Sequence, residues 1–193
     1  MKFYDVNRFW IKLKIRKNIF IHINKTAGTS ISTSIYQDSK LHLTAREYFA
    51  LVGKNNWNVS YKFSFVRNPY DRAVSLFEYR RKSGRTNLSF EKWVHHTFGV
   101  LNSTPELDSP KMLMPQTEWI KVDNAPALDF IGRFENLNED WKEVSKILNI
   151  SNQLPHLNKS QRDSHYKSYY NADSRKIIEK YFKVDLEKFS YTF

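Results

Sequence analysis

Short apolar runs alternate along this chain with stretches whose apolar residues recur every three or four positions. Ile19, Phe20, Ile21 and Ile23 form the first run; Lys25, Thr26, Ala27, Gly28, Thr29 and Ser30 follow, and the chain to Tyr36 suits a helix. Residues 18–36 therefore read as buried strand, tight loop and helix start. Leu43, Tyr48, Phe49, Leu51 and Val52 give a rough helical stripe that Gly53 is placed to stop. Residues 61–66, YKFSFV, read as a mostly covered strand. In the next stretch Asn68 suits a helix N-cap, Pro69 the first helical position and Asp71 the first turn. Tyr70, Ala73, Val74 and Phe77 then share a face, opposite Asn68, Asp71, Arg72 and Ser75.

Later segments continue the alternation. Residues 88–100 read as a helix with Phe90, Trp93, Val94 and Phe98 on its apolar side, and 101–115, with three prolines, as a loop. Residues 119–122 suit a short strand, 128–134 a buried strand interrupted by Gly132, and Asn138 caps a helix carrying Trp141, Val144 and Leu148. The polar stretch 151–169 reads as irregular, and 172–182 as a last helix with Ile177, Ile178, Tyr181 and Phe182 inward. Strands alternating with helices imply right-handed crossovers and an α/β fold, a mostly parallel central sheet flanked by helices, in one domain over 1–193. Ligands in such sheets bind past the carboxyl ends of the strands. Lys25 and Arg67 both fall there.

Composition narrows the partners. The 193 residues carry a formal net charge of +11, which favours an anionic ligand without choosing among nucleic acid, anionic glycan, nucleotide and lipid headgroup. The chain has no cysteine, so disulfides and thiolate metal sites are excluded and a reducing compartment fits. The sequons at Asn58, Asn102 and Asn158 have meaning only in a secreted chain. The first 20 residues alternate basic and apolar positions, unlike a signal peptide, and no window approaches the ~20 apolar residues of a membrane span. The expectation is a cytoplasmic protein without stable membrane insertion.

A lysine, hydroxyls and the free N–H groups of a first helical turn make a cradle for a phosphate-like group. FIHINKTAGTSI resembles the loop that holds the 5′-phosphosulfate in sulfotransferases using 3′-phosphoadenosine 5′-phosphosulfate (PAPS), above all the carbohydrate sulfotransferases. FSFVRNPYDRAVSLF resembles the same family's second motif, an arginine followed eight residues later by a serine, here Arg67 and Ser75. PQTEWI, DFIGRFENLNEDW and DLEKFSYTF are weaker matches, and Asn24 stands where the family usually has proline, which should loosen the turn.

The resemblance implies a P-loop-like three-layer fold and transfer of a sulfuryl group from PAPS to a hydroxyl of a carbohydrate: a glycan, polysaccharide or glycolipid. It places Lys25, Thr26, Ala27, Gly28, Thr29 and Ser30 around the 5′-phosphate and Arg67 with Ser75 on the 3′-phosphate. Lys25 is the catalytic cation, and no metal is required. His42, in HLTAREY, resembles the segment that supplies the base in glycan 6-O-sulfotransferases, with Glu47 the alternative. His22 reads as structural. His95 and His96, adjacent on a helix, point apart, which disfavours a shared metal. His156 and His165 are open to substrate or cofactor contacts, Arg133 and Glu135 to the crevice floor, and 158–167 to a lid.

The ATP-type loop G-x-x-x-x-G-K-[ST] is absent: position 19 is Ile, position 24 is Asn and no glycine precedes Lys25. An ATP-dependent phosphotransferase, a basic nucleic-acid-binding protein and a PAPS-binding relative without catalysis are the alternatives.

Overall fold

The computed structural model describes residues 18–99, 110–123, 128–151, 153–155 and 165–193. Three strands, β1 (Asn18–Ile21), β2 (Tyr61–Val66) and β3 (Phe130–Arg133), form a parallel sheet in that order. Phe20 pairs with Phe63 and Ile21 with Ser64, while Val66 pairs with Arg133. The strands therefore end on the same side, with the turns after β1 and β2 adjacent. The Ser64 hydroxyl reinforces that edge by donating to the Ile21 carbonyl at 2.8 Å.

Side-chain alternation along the strands builds the layers. Ile19 and Ile21 point to one face, where α2 (Ala45–Val59) contributes Ala45, Tyr48, Val52 and Trp57 and α5 (Gln116–Ile120) contributes Trp119 and Ile120. Phe20, Phe63 and Phe65 point to the other, packing on Ile31 of α1 (Gly28–Ser34) and on Trp141 and Val144 of α6 (Leu137–Leu148). A third cluster joins α3 (Pro69–Lys82), α4 (Phe90–Phe98) and α7 (Ala172–Tyr181), which leads into α8 (Lys183–Lys188). This is the expected α/β architecture, a parallel sheet flanked by helices. No helix among the described residues is long and apolar enough to cross a membrane.

Local capping accounts for several boundaries. The Asn68 side chain accepts from the Tyr70 N–H with Pro69 next to it, and Ser89 caps α4 by accepting from Lys92 N–H. Gly53 breaks α2 as expected, with φ 78° and ψ 162°, but only as a kink, and helical turns resume beyond it to Val59. Other expectations give way to tertiary structure. Residues 116–120 are helical where a strand was expected across 119–122, because the Asp185 carboxylate accepts from the Gln116 and Thr117 N–H groups at 2.6 and 2.9 Å and caps the turn. Asn138 lies inside α6, preceded by Asn136 at the cap position. Gly132 sits within β3 without interrupting it: a Cβ there would lie 2.5 Å from the Phe65 ring. Position 100 at the end of the 88–100 helix, 101–109 of the 101–115 loop, His156 and 158–164 of the proposed lid lie outside the described residues.

Candidate cofactor and acceptor site

The turn after β1 is held in an unusual backbone shape. Lys25 and Ala27 have φ of 67° and 64°, left-handed conformations that cost non-glycine residues of order 1 kcal/mol each and concentrate at functional sites. Thr26 between them is buried, and its hydroxyl donates to the Ile23 carbonyl at 2.9 Å, closing the loop. Its proton is thus committed within the protein. Ala27, at the N-cap of α1, supplies no side-chain acceptor, so the N–H groups of the first turn stay available to an anion. The hydroxyls of Thr29 and Ser30, on that turn, donate to no partner among the described residues.

Gly28 answers to a neighbour. A Cβ at this position would fall 1.8 Å from Cδ2 of His22, so the glycine is needed for close approach of the imidazole. His22 follows β1 and stands between the loop and His42, with the two ring centroids 4.1 Å apart. Burial first, and the proximity of His42 second, lower its pKa to about 3, so it is neutral at physiological pH.

Lys25 is half-buried, with Nζ 4.6 Å from the centroid of the Tyr79 ring. Burial, then the nearby Arg67, lower its pKa from 10.5 to about 8. An anion between these two cations relieves both effects.

Arg67, just past β2 and 4% exposed, is held on every side. Nε and Nη2 meet Asp71 Oδ2 at 2.8 and 2.7 Å, the guanidinium lies 3.9 Å from the Phe134 ring centroid, and Nη1 donates to the Lys25 carbonyl at 3.0 Å. Gln116 clasps its backbone, accepting from the N–H at 2.9 Å and donating to the carbonyl at 2.8 Å. Ser75 lies one turn after Asp71 and one turn before Tyr79 on α3, between the partner of Arg67 and the ring beneath Lys25. The polar face of α3 is thus turned inward, toward the β1 loop.

Among the described residues His42 makes one hydrogen bond. Its Nδ1 lies 3.0 Å from the His22 carbonyl. A carbonyl only accepts, so Nδ1 carries the proton and Nε2 of the neutral ring keeps its lone pair. Trp119 packs against the ring edge at 6.3 Å. Glu47 is engaged elsewhere: Oε2 accepts from Thr44 N–H at 2.6 Å and from Thr44 Oγ1 at 3.0 Å, and it pairs with Lys111. Desolvation raises its pKa, but the Lys111 and Thr44 bonds outweigh that and leave it lowered, a poor setting for a base.

The sulfotransferase family model matches residues 7–192. The chain belongs to the sulfotransferase family. It is also 27% identical, over 122 residues covering 60% of this chain and 90% of the relative, to an uncharacterized protein of Archaeoglobus fulgidus. No solved structure matches.

Several residues of this sulfotransferase matter in ways the sequence did not announce. Asn24 does not loosen the turn; its buried side chain donates to the Met112 carbonyl at 2.8 Å and accepts from Arg72. Gln116 and Asp185, within the PQTEWI and DLEKFSYTF matches, support the Arg67 backbone. Glu135 accepts from Asn68 N–H at 2.6 Å and from Tyr191 OH at 2.8 Å, bracing the turn that bears Arg67. Arg133 donates to the Phe189 carbonyl at 2.6 Å. His165 is exposed, with its ring beside Tyr166, and Lys167 lies 5.2 Å from the Phe193 ring centroid.

Proposed function

We propose that this sulfotransferase uses PAPS and transfers its sulfuryl group to a hydroxyl of a carbohydrate acceptor. The observation that carries the reading is the junction of the two anchors, with Arg67 Nη1 3.0 Å from the Lys25 carbonyl. A ligand bearing phosphates at both ends of one nucleoside matches such a pair. The uncapped turn at Gly28, the half-buried Lys25 and the Thr29 and Ser30 hydroxyls suit the 5′-phosphate, and Arg67 with Ser75 suits the 3′-phosphate through charge-assisted bonds.

PAPS, when bound, supplies an activated sulfuryl group whose sulfur–oxygen bond to phosphate breaks as the acceptor oxygen bonds to sulfur. The chain's own residues do the rest. His42 Nε2 takes the acceptor's proton. Lys25 and the first-turn amides of α1 meet the negative charge that develops on the departing phosphate, from positions fixed beforehand.

A transfer assay with radiolabelled PAPS and a panel of carbohydrate acceptors tests this directly. Label is expected on at least one acceptor with wild-type protein and on none with Lys25→Ala. Transfer confined to non-carbohydrate hydroxyls would overturn the acceptor assignment.

A further inference from the structure

Arg72 has its guanidinium in the core rather than at the cofactor loop's surface. It is 3% exposed, one turn beyond Asn68 on α3, and its donors go to two stretches of backbone remote from each other in sequence. Nε donates to the Asn24 carbonyl at 3.3 Å and Nη2 to the Asn24 side-chain oxygen. Nη1 donates to the Met114 carbonyl at 3.0 Å and Nη2 also to the Met112 carbonyl at 3.1 Å. Asn24 closes the triangle by donating from Nδ2 to the same Met112 carbonyl at 2.8 Å.

Each side of this junction touches the chemistry. Asn24 immediately precedes Lys25 and its left-handed backbone. Met112 and Met114 lead into α5, which presents Gln116 to the Arg67 backbone and Trp119 to His42. Lys111, in the same segment, lies 5.4 Å from the Trp119 ring centroid and pairs with Glu47. Residues 110–120 thus form the wall beside His42, while residues 25–30 form the cradle. The Asn24 amide spans the two with a donor on one side and an acceptor on the other, which an apolar side chain or an imino acid cannot do.

We propose that Asn24, held by Arg72, is a positioning residue that locks the wall beside His42 to the anion cradle, so that filling the cradle orders the wall. Buried polar groups left half-bonded are costly, so the junction has one well-satisfied arrangement. Fixing residues 24–27 by an anion favours that arrangement and carries it to Met112 and Met114. The inference rests on the reading that the cradle binds the nucleotide product, 3′-phosphoadenosine 5′-phosphate (PAP).

Hydrogen exchange on the full chain, with and without saturating PAP, is the test. In the wild type, PAP is expected to slow exchange of amides in 110–120 by about tenfold, an ordinary coupling between two sites. Asn24→Asp keeps an acceptor for Arg72 but removes the donor to Met112. With PAP at saturation, the gain in protection of 110–120 should fall below about twofold. Asn24→Ala, read the same way, replaces it if the carboxylate prevents folding. Wild-type protein that binds PAP with no change in 110–120 overturns the proposal, as does an Asn24 variant that keeps the full gain. Absence of PAP binding by the wild type sinks the reading beneath it instead.

Discussion

The Arg67 guanidinium donates to the backbone carbonyl of Lys25 across 3.0 Å, so the arginine of one motif holds the shape of the other. Its fork is shared between Asp71 and this carbonyl and its plane lies on Phe134. A lysine has the charge without the fork or the plane. Arg67→Lys is therefore expected to weaken PAP binding roughly tenfold or more, since a bond to a charged group contributes about 1.5–3 kcal/mol. Titration calorimetry checks this; an affinity equal to wild type would mean that charge alone suffices.

Lys25 makes binding depend on pH. With its pKa lowered to about 8, the free protein loses this charge as pH rises through 8, and an anionic ligand must restore it. PAP affinity should fall from pH 7 to pH 9 with uptake of up to one proton, measured calorimetrically in buffers of different ionisation enthalpy.

The same shift has a sign for stability. The unfolded chain binds more protons than the folded one between pH 8 and the ordinary 10.5, so this group opposes folding fully below pH 8 and not at all above 10.5. Lys25→Met should be the more stable protein at pH 7, by about 1–2 kcal/mol once solvent screening is allowed for. That advantage should vanish near pH 10.5. Urea melts at the two pH values decide, and a constant difference would show that the lysine's charge is not the cause.

His42 and Glu47 are separated by their partners. His42 has one fixed nitrogen and one with its lone pair kept, whereas Glu47 is tied to Thr44 and Lys111. His42→Ala should lower the transfer rate about 10²–10⁴-fold with PAP affinity nearly unchanged. Glu47→Gln should cost far less in rate and, because glutamine can keep the capping box, lower thermal stability only slightly, through the lost ion pair with Lys111. The reverse ranking of rates would make Glu47 the base.

Gly28 and His22 form a steric pair. Gly28→Ala drives a methyl into the imidazole and should destabilise the protein by about 1–3 kcal/mol. Adding His22→Ala makes room for it, so the double variant should recover much of the Gly28→Ala penalty in melting experiments. Strictly additive losses would mean that the contact is relieved some other way.

Elements set by neighbours in sequence were legible from sequence. The β1 loop and α1 follow from an apolar run before KTAGTS, and the start of α3 from Asn68 and Pro69. What escaped was set by distant partners. The helix at 116–120 depends on Asp185, 69 residues away, and nothing local signals it. Glu47 looked free for chemistry because Lys111, 64 residues on, was not known to reach it. Asn24 looked like a weakened proline because Arg72 and Met112 come to it only through the fold. Gly28 was read as part of the cradle, but only the placement of His22 beside it explains why no side chain fits.

Calorimetric titration with PAP and with adenosine 5′-phosphate, which lacks the 3′-phosphate, tests the two-anchor grip most directly. Wild-type protein should bind PAP about a hundredfold more tightly, the worth of one or two charge-assisted bonds. Arg67→Ala should remove most of that preference, and Lys25→Ala should weaken both ligands while keeping it. Equal affinities in the wild type, or a preference that survives Arg67→Ala, would contradict the account.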